Sequence, residues 1–247
     1  MERVKVRRPF VYLALLGVLL LLFDRTQSWV YLHRAPQIPE TYSSGEGAVT
    51  RAILVAGQGM DEVESATCRR DLANAVAQLQ CHTEGRLIME SFLPGREDYS
   101  NASVLAAIER TDCQDLLIYL TGHGGGVNFG AGGGLNLRRE ALAEALSQAR
   151  FQRATVVVDC CWSGEFIRSF QGLDYPGEVT LITSTDAKHP APFPVSFLSP
   201  GSFGKMLFDR WEAGPEAAFQ QTNAYRKKLE WLYDEKFGLE GVWWRNR

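Results

Sequence analysis

Two kinds of hydrophobic pattern alternate along this chain. Residues 52–57, 116–121, 154–159 and 179–183 are short, nearly unbroken apolar runs rich in Val, Ile and Leu. Runs of that length without polar alternation read as strands buried on both faces, the usual condition of a parallel sheet. Residues 87–93 form a plausible further strand between the first two of these. Elsewhere the apolar positions take helical spacing. Val63, Leu72, Ala75, Val76 and Leu79 predict a helix over 62–79, and residues 101–108 predict a short one capped by Ser100 or Asn101. Leu137, Leu142, Ala145 and Leu146 predict a helix from a cap at Asn136 to about residue 149. Two more helices are expected over 201–211 and 215–236. Strands alternating with helices predict an α/β fold, with a mostly parallel sheet between two helical layers.

The start of the chain has another pattern. Arg3, Lys5, Arg7 and Arg8 stand against one acid, Glu2, and residues 10–23 are then apolar without interruption. The run falls short of the ~20 residues a spanning helix prefers, as a signal peptide would. No small-residue cleavage site follows, since the next residues are Asp24, Arg25, Thr26 and Gln27. Trp29, Tyr31 and Tyr42 suit a membrane interface. The pattern favours an uncleaved transmembrane helix, with a cleaved signal peptide as the alternative. Either way the basic flank stays in the cytoplasm and the rest is translocated. That gives a single-pass membrane protein with an extracytoplasmic domain, or a secreted protein if the segment is removed. The expected division is a basic flank at 1–8, an anchor and juxtamembrane segment at 9–34, a linker with Pro and Gly at 35–49, and one globular domain at 50–247.

Charge and cysteine usage remove several classes. The 247 residues carry a net charge of −3, which gives no bulk attraction to nucleic acid. Five cysteines without a CxxC pair fit neither a disulfide scaffold nor a zinc ribbon. Cys68 and Cys81 lie 13 residues apart on one expected helix, roughly 20 Å along its axis, too far for a bridge. Cys81 with Cys113 stays open as a pair in an oxidising compartment.

The chemistry concentrates at the ends of two buried strands. Residues 116–121 run into Gly122-His123-Gly124-Gly125-Gly126, and residues 154–159 into Cys160-Cys161-Trp162-Ser163-Gly164. Open α/β sheets bind ligands at the carboxyl ends of their strands. Two adjacent parallel strands would therefore set His123 beside the cysteine pair. A thiol ahead of a helix N-terminus would gain thiolate character from the helix dipole. Other readings account for less. A His-Gly-Gly-Gly run also forms the oxyanion loop of α/β-hydrolases, but this chain has no Gly-x-Ser-x-Gly elbow. Residues 122–134 lack the ending of a P-loop and the spacing of a dinucleotide-binding turn, and 129–134 reads as a mobile surface loop. Cys160 reads as a buried structural cysteine.

A histidine after one strand and a cysteine after the next resembles the caspase-like superfamily of cysteine peptidases, which includes caspases, metacaspases, legumain and the catalytic subunit of the GPI transamidase. Residues 117–125, Leu-Ile-Tyr-Leu-Thr-Gly-His-Gly-Gly, are similar to the histidine strand of legumain and the transamidase. Residues 159–164, Asp-Cys-Cys-Trp-Ser-Gly, are similar to the metacaspase Asp-x-Cys-x-Ser-Gly motif. The order of segments from 52 to about 211 also fits. The resemblance implies a three-layer caspase-like fold and a cysteine endopeptidase that works through a thioester. It implies Cys161 as nucleophile, His123 as general base and acid, and the backbone N–H groups of Gly124 and Cys161 as an oxyanion hole. It implies no cofactor and no metal at the site, and a protein or peptide as substrate.

Asp159 matches a residue that lines the S1 pocket of metacaspases. A strand side chain two positions before Cys161 shares its face. An acidic pocket taking Arg or Lys before the scissile bond is therefore expected, with Asp61 and Asp186 as candidate companions. The other reading of Asp159 is a carboxylate that orients a loop by accepting backbone N–H groups. The chain departs from the family in several places. Residues 58–61 lack the Arg-His pair of legumain and the transamidase, and no caspase-like S1 arginine is visible. Trp162 stands where metacaspases commonly have histidine, and no acidic processing loop is evident. Three functions compete: a membrane-tethered cysteine endopeptidase, a transamidase or ligase that passes the acyl group to an amine, and a non-catalytic binding protein on the same fold.

Overall fold

A computed structural model of the chain describes residues 15, 17–19, 37–59, 62–130, 134–192, 202–229 and 238–246. Nine strands are found among them: β1 (Thr41–Ser44), β2 (Val49–Ala56), β3 (Arg86–Phe92), β4 (Asp112–Thr121), β5 (Asn128–Phe129), β6 (Leu137–Arg138), β7 (Arg150–Asp159), β8 (Glu178–Thr183) and β9 (Trp243–Arg245). The α-helices are α1 (Glu62–His82), α2 (Asn101–Glu109), α3 (Arg139–Gln148), α4 (Phe166–Phe170), α5 (Phe203–Phe208) and α6 (Pro215–Lys228).

Among the described residues one large sheet has the order β1-β3-β2-β4-β7-β8-β9. Its five inner strands are parallel, and β1 and β9 pair antiparallel at the two edges. The unbroken apolar runs have a simple cause: both faces of the inner strands are covered. Ile53, Val55, Leu116, Ile118, Leu120, Val156 and Val158 face one layer, packed with Ile108 of α2, Leu142 and Leu146 of α3, and Phe166 and Phe170 of α4. Their neighbours Ala52, Leu54, Leu117, Tyr119 and Val157 face the other, packed with Cys68, Leu72 and Leu79 of α1, Phe203 and Leu207 of α5, and Phe219 of α6. The fold is thus α/β, a mostly parallel sheet flanked by helices. From β2 the chain crosses to β3 on one side, then returns past β2 to β4 on the other. The carboxyl ends of β2 and β4 therefore border the crevice where such sheets bind ligands.

Several expectations are corrected. Part of the stretch read as linker, Thr41–Ser44, adds an edge strand to β3, and Ile38 ahead of it is buried. Asn136 does not cap a helix. It exchanges two hydrogen bonds of 2.9 Å with the Asn101 side chain, and α3 starts later, at Arg139, without a side-chain cap. Residues 129–130 are no loose surface loop: Phe129 is fully buried, and β5 pairs with β6. Ser100 caps α2, and Ser202 caps α5, which ends at Phe208 rather than near residue 211. β9 had no signal in the sequence. The expected extension of α6 over 230–236 lies outside the described residues, as does the apolar run 10–23 apart from helical Leu15 and 17–19. No helix among the described residues is long and apolar enough to cross a membrane.

All five cysteines are free. Cys81 is exposed on α1, whereas Cys113 packs on the opposite face of the sheet and donates its S–H to Asp115 O at 3.3 Å. With the sheet between them, the Cys81–Cys113 pair left open by the sequence does not form.

Phe129 anchors the glycine-rich segment after β4 into the core. Truncating a fully buried Phe costs about 3–5 kcal/mol. Phe129→Ala is therefore expected to lose a stability of that order in urea denaturation; a loss below about 1 kcal/mol would mean the segment is not anchored there.

Candidate active site

The parallel ladder between β4 and β7 ends with Thr121 opposite Asp159. One further bond, Gly122 N to Asp159 O at 3.1 Å, carries the two chains on together. His123 and Cys161 come next, each two residues beyond its strand end. Two glycines let the chain after β4 run this close to its neighbours, Gly122 beside the chain after β2 and Gly124 beside the chain after β7. Gly122 has φ +153°, and a Cβ there would lie 2.7 Å from Gly57 Cα. A Cβ on Gly124 would overlap the Cys160 thiol and lie 2.9 Å from Cys160 Cβ. Cys160 points into the apolar layer, 2% exposed, and Cys161 is half-buried on the crevice side.

Gly124 forms an isolated antiparallel bridge with Phe129. The bonds that hold it run from Gly125 N to Asn128 O (3.0 Å) and from Gly130 N to His123 O (2.7 Å). Gly124 is thus in a non-hydrogen-bonded pair, and its N–H points away from Phe129. Trp162, after the cysteine, is the one non-glycine residue with positive φ among the described residues, at 53°. The turn is fastened to the loop after β8. Trp162 N donates to His189 O at 3.2 Å, Thr185 N donates to Ser163 Oγ at 3.1 Å, and a Cβ on Gly164 would meet Asp186 Cα at 2.8 Å. The Ser-Gly of the motif thus has a structural role, holding the cysteine turn against its neighbour.

The Cys161 thiol lies 3.9 Å from Ala191 O. Burial pushes its pKa up, and the negative charges of Asp159 and Glu64 add to the rise. This corrects the expectation of a helix-activated thiolate. Beyond Cys161 the chain forms a 3₁₀ turn, Ser163–Glu165, and then the five-residue α4, too short to supply a strong dipole.

Glu64 itself carried no sequence signal beyond being an acid in the first turn of a helix. Its Oε2 lies 2.6 Å from His123 Nε2. The other acids are arranged differently from the expectation. Asp159 is buried, and its Oδ2 accepts the Gly204 N–H at 2.8 Å, at the first turn of α5. That is the loop-orienting use of an aspartate. Burial raises its pKa, partly offset by the Gly204 bond, Ser184 and Arg226. Asp186 serves its own loop, accepting from Lys188 N at 2.8 Å and His189 N at 2.9 Å, with the His189 ring at 2.9 Å. Asp61 lies outside the described residues. The acid that does neighbour Asp159 is Asp71 on α1, which no sequence motif marks. It is 3% exposed, and its Oδ2 and the Tyr119 hydroxyl are buried polar atoms without a hydrogen-bond partner. Burial first, and then the charge of Asp159, raise the Asp71 pKa well above the usual carboxylate range. Among the described residues no three His, Cys, Asp or Glu side chains cluster to hold a metal ion.

No family model matches this chain, and no curated protein matches it in sequence. Solved structures resemble it. The Geobacter sulfurreducens protein GSU0716 superposes with a TM-score of 0.52 and 12% identity, over 79% of this chain and 92% of that one. Caspase-1 from Spodoptera frugiperda superposes with a TM-score of 0.49 and 10% identity, over 82% of this chain and 89% of that one.

The buried acid pair has a measurable consequence. A carboxyl whose pKa is raised on folding keeps its proton in the native state at pH values where the unfolded chain has lost it. Its contribution is complete below the unfolded pKa and is lost as pH rises through the folded one. Asp71→Asn mimics the protonated side chain. It is expected to raise the thermal midpoint at neutral pH by roughly 2–4 °C for each kcal/mol regained, and to leave it unchanged below ~pH 4. Equal shifts at both pH values would mean that Asp71 does not titrate on folding.

Proposed function

We propose that this protein is a caspase-like cysteine endopeptidase with a His123–Cys161 dyad. The observation that carries the reading is the β4–β7 register, which delivers a histidine and a part-exposed cysteine from adjacent strand ends to one rim of the sheet. The raised thiol argues for proton transfer during attack rather than a stored thiolate. His123 takes the Cys161 proton as Sγ bonds to the substrate carbonyl carbon, and the carbonyl oxygen becomes an oxyanion. The N–H groups of Gly124 and Cys161 are the donors assigned to that oxyanion. Collapse breaks the C–N bond, and His123 returns its proton to the leaving amine. Water, deprotonated by His123, then attacks the thioester and releases the acid and the thiol.

The same reading gives the pocket before the scissile bond a preference for Arg or Lys. Asp159, two residues before the proposed nucleophile, has the buried acid Asp71 for a neighbour, and a guanidinium reaching them would offset their mutual repulsion and complete Asp71 Oδ2. Loss of one partner of a buried ion pair costs about 3–5 kcal/mol, enough to dominate specificity. A peptide library scanned at that position, applied to the wild type and four variants, tests dyad and pocket together. The wild type should cleave after Arg or Lys, Cys161→Ala and His123→Ala should be inactive, Cys160→Ser should keep most of its turnover, and Asp159→Asn should lose the basic preference. An active Cys161→Ala with a dead Cys160→Ser would move the nucleophile by one residue; an unchanged preference in Asp159→Asn would remove the acidic pocket.

The tether belongs to this reading too. It is supported by the four basic residues ahead of the apolar run 10–23. A reporter active only in the cytoplasm, fused after Arg247, is expected to be silent, and a bright one overturns the orientation.

A further inference from the structure

We propose that Glu64 is a positioning residue for His123, fixing the imidazole with its proton on Nε2 and its lone pair on Nδ1, ready for the Cys161 thiol. The proposal rests on the peptidase reading above and adds to it a third group that neither motif contains.

The geometry is that of a short, charge-assisted hydrogen bond. Glu64 Oε2 and His123 Nε2 are 2.6 Å apart, and the two side chains are only 21% and 22% exposed. An ionised carboxylate can only accept, so the ring nitrogen that faces it carries the proton. In the neutral ring the other nitrogen, Nδ1, is then the acceptor. Glu64 is held in place from the same sheet as the dyad. It stands in the first turn of α1, directly after β2, and β2 pairs with β4 in the register Ala56 opposite Thr121. Gly57 N donates to Thr121 O at 2.7 Å, and Gly59 N donates to Ser65 Oγ at 3.0 Å, which fastens the turn between strand and helix. Glutamate, histidine and cysteine thus come after three neighbouring parallel strands, β2, β4 and β7. Acids in the first turn of a helix also complement its dipole.

The chemistry separates this role from simple activation of the thiol. A negative charge near Cys161 disfavours its thiolate, so Glu64 does not raise the resting amount of nucleophile. Its benefit appears when His123 accepts the Sγ proton and becomes imidazolium. The ring then needs a fixed orientation and a nearby anion, and Glu64 supplies both.

Two measurements on the full chain test this. The first does not depend on turnover: long-range proton–nitrogen spectra of the His123 ring, assigned with His123→Gln. The wild type is expected to hold Nε2–H and an unprotonated Nδ1 when neutral, and Glu64→Ala to lose that preference. A wild-type ring protonated on Nδ1 overturns the proposal. The second is kinetic. Glu64→Ala is expected to lower kcat by at least roughly 10–100-fold, the range seen when the hydrogen-bond partner of a metal-ligating histidine is removed, with KM changed less than about twofold. Added formate should restore part of kcat in Glu64→Ala and none in Glu64→Gln, where the side chain still fills the space. A kcat within about twofold of wild type in Glu64→Ala also overturns the proposal. A wild type that cleaves no peptide, yet shows the Nε2–H form lost in Glu64→Ala, supports the positioning and counts against the peptidase reading alone.

Discussion

The parallel pairing of β4 with β7 is the constraint on which the site depends. Parallel neighbours run out at the same rim, so the residues beyond Thr121 and Asp159 emerge side by side. Strand side chains alternate between faces, and a slip of one residue would exchange them all. Here such a slip would turn Cys161 into the apolar layer and bring Cys160 out. The register is held by Ile118 and Val156 on one face and by Tyr119 and Val157 on the other, all fully buried. The packing of the core therefore selects which of two adjacent thiols stays out of the apolar layer. Gly124 then lets the two chains continue in contact past the last strand residue, and Gly122 lets the chain after β4 pass against Gly57 after β2.

The inner sheet was legible because its strands are covered on both sides. Residues 116–121 and 154–159 had to be apolar throughout, and that pattern survives in the sequence without knowledge of the partners. The edge strands were not legible. Thr41–Ser44 is mostly exposed and polar, and its pairing with β3 comes from where Ile38 and Arg96 lodge rather than from any local preference. Trp243–Arg245 is three residues long and takes its place by pairing with β8. Phe129 looked like one aromatic in a glycine run, yet it anchors that run. Asn136 had the look of a helix cap, but the hairpin of β5 and β6 and the Asn101 side chain compete for it.

The same division holds within the site. His123 and the cysteine pair stand in contiguous motifs, where neighbours in sequence are neighbours in chemistry. Glu64 and Asp71 are single acids on a helix, like many others in the chain. Only the packing of α1 over the sheet distinguishes them, placing one against the imidazole and burying the other beside Asp159. The result is an acid-rich surrounding for a thiol that burial already keeps protonated. An uncommitted thiol of that kind is a poor target for stray electrophiles, because thiolate is the reactive form.

The antiparallel direction of β1 bears on geometry at a larger scale. Because β1 runs against β3, the residues before it lie beside the carboxyl end of β3. Ser91 N donates to Glu40 O at 2.9 Å, and Arg96 Nη2 donates to Ile38 O at 2.7 Å. Gln37 therefore lies towards the rim that carries His123 and Cys161, not at the far end of the sheet. Even fully extended, the stretch from residue 23 to residue 37 reaches no more than about 50 Å. On the tethered reading proposed above, the rim that carries His123 and Cys161 stays within that distance of the membrane.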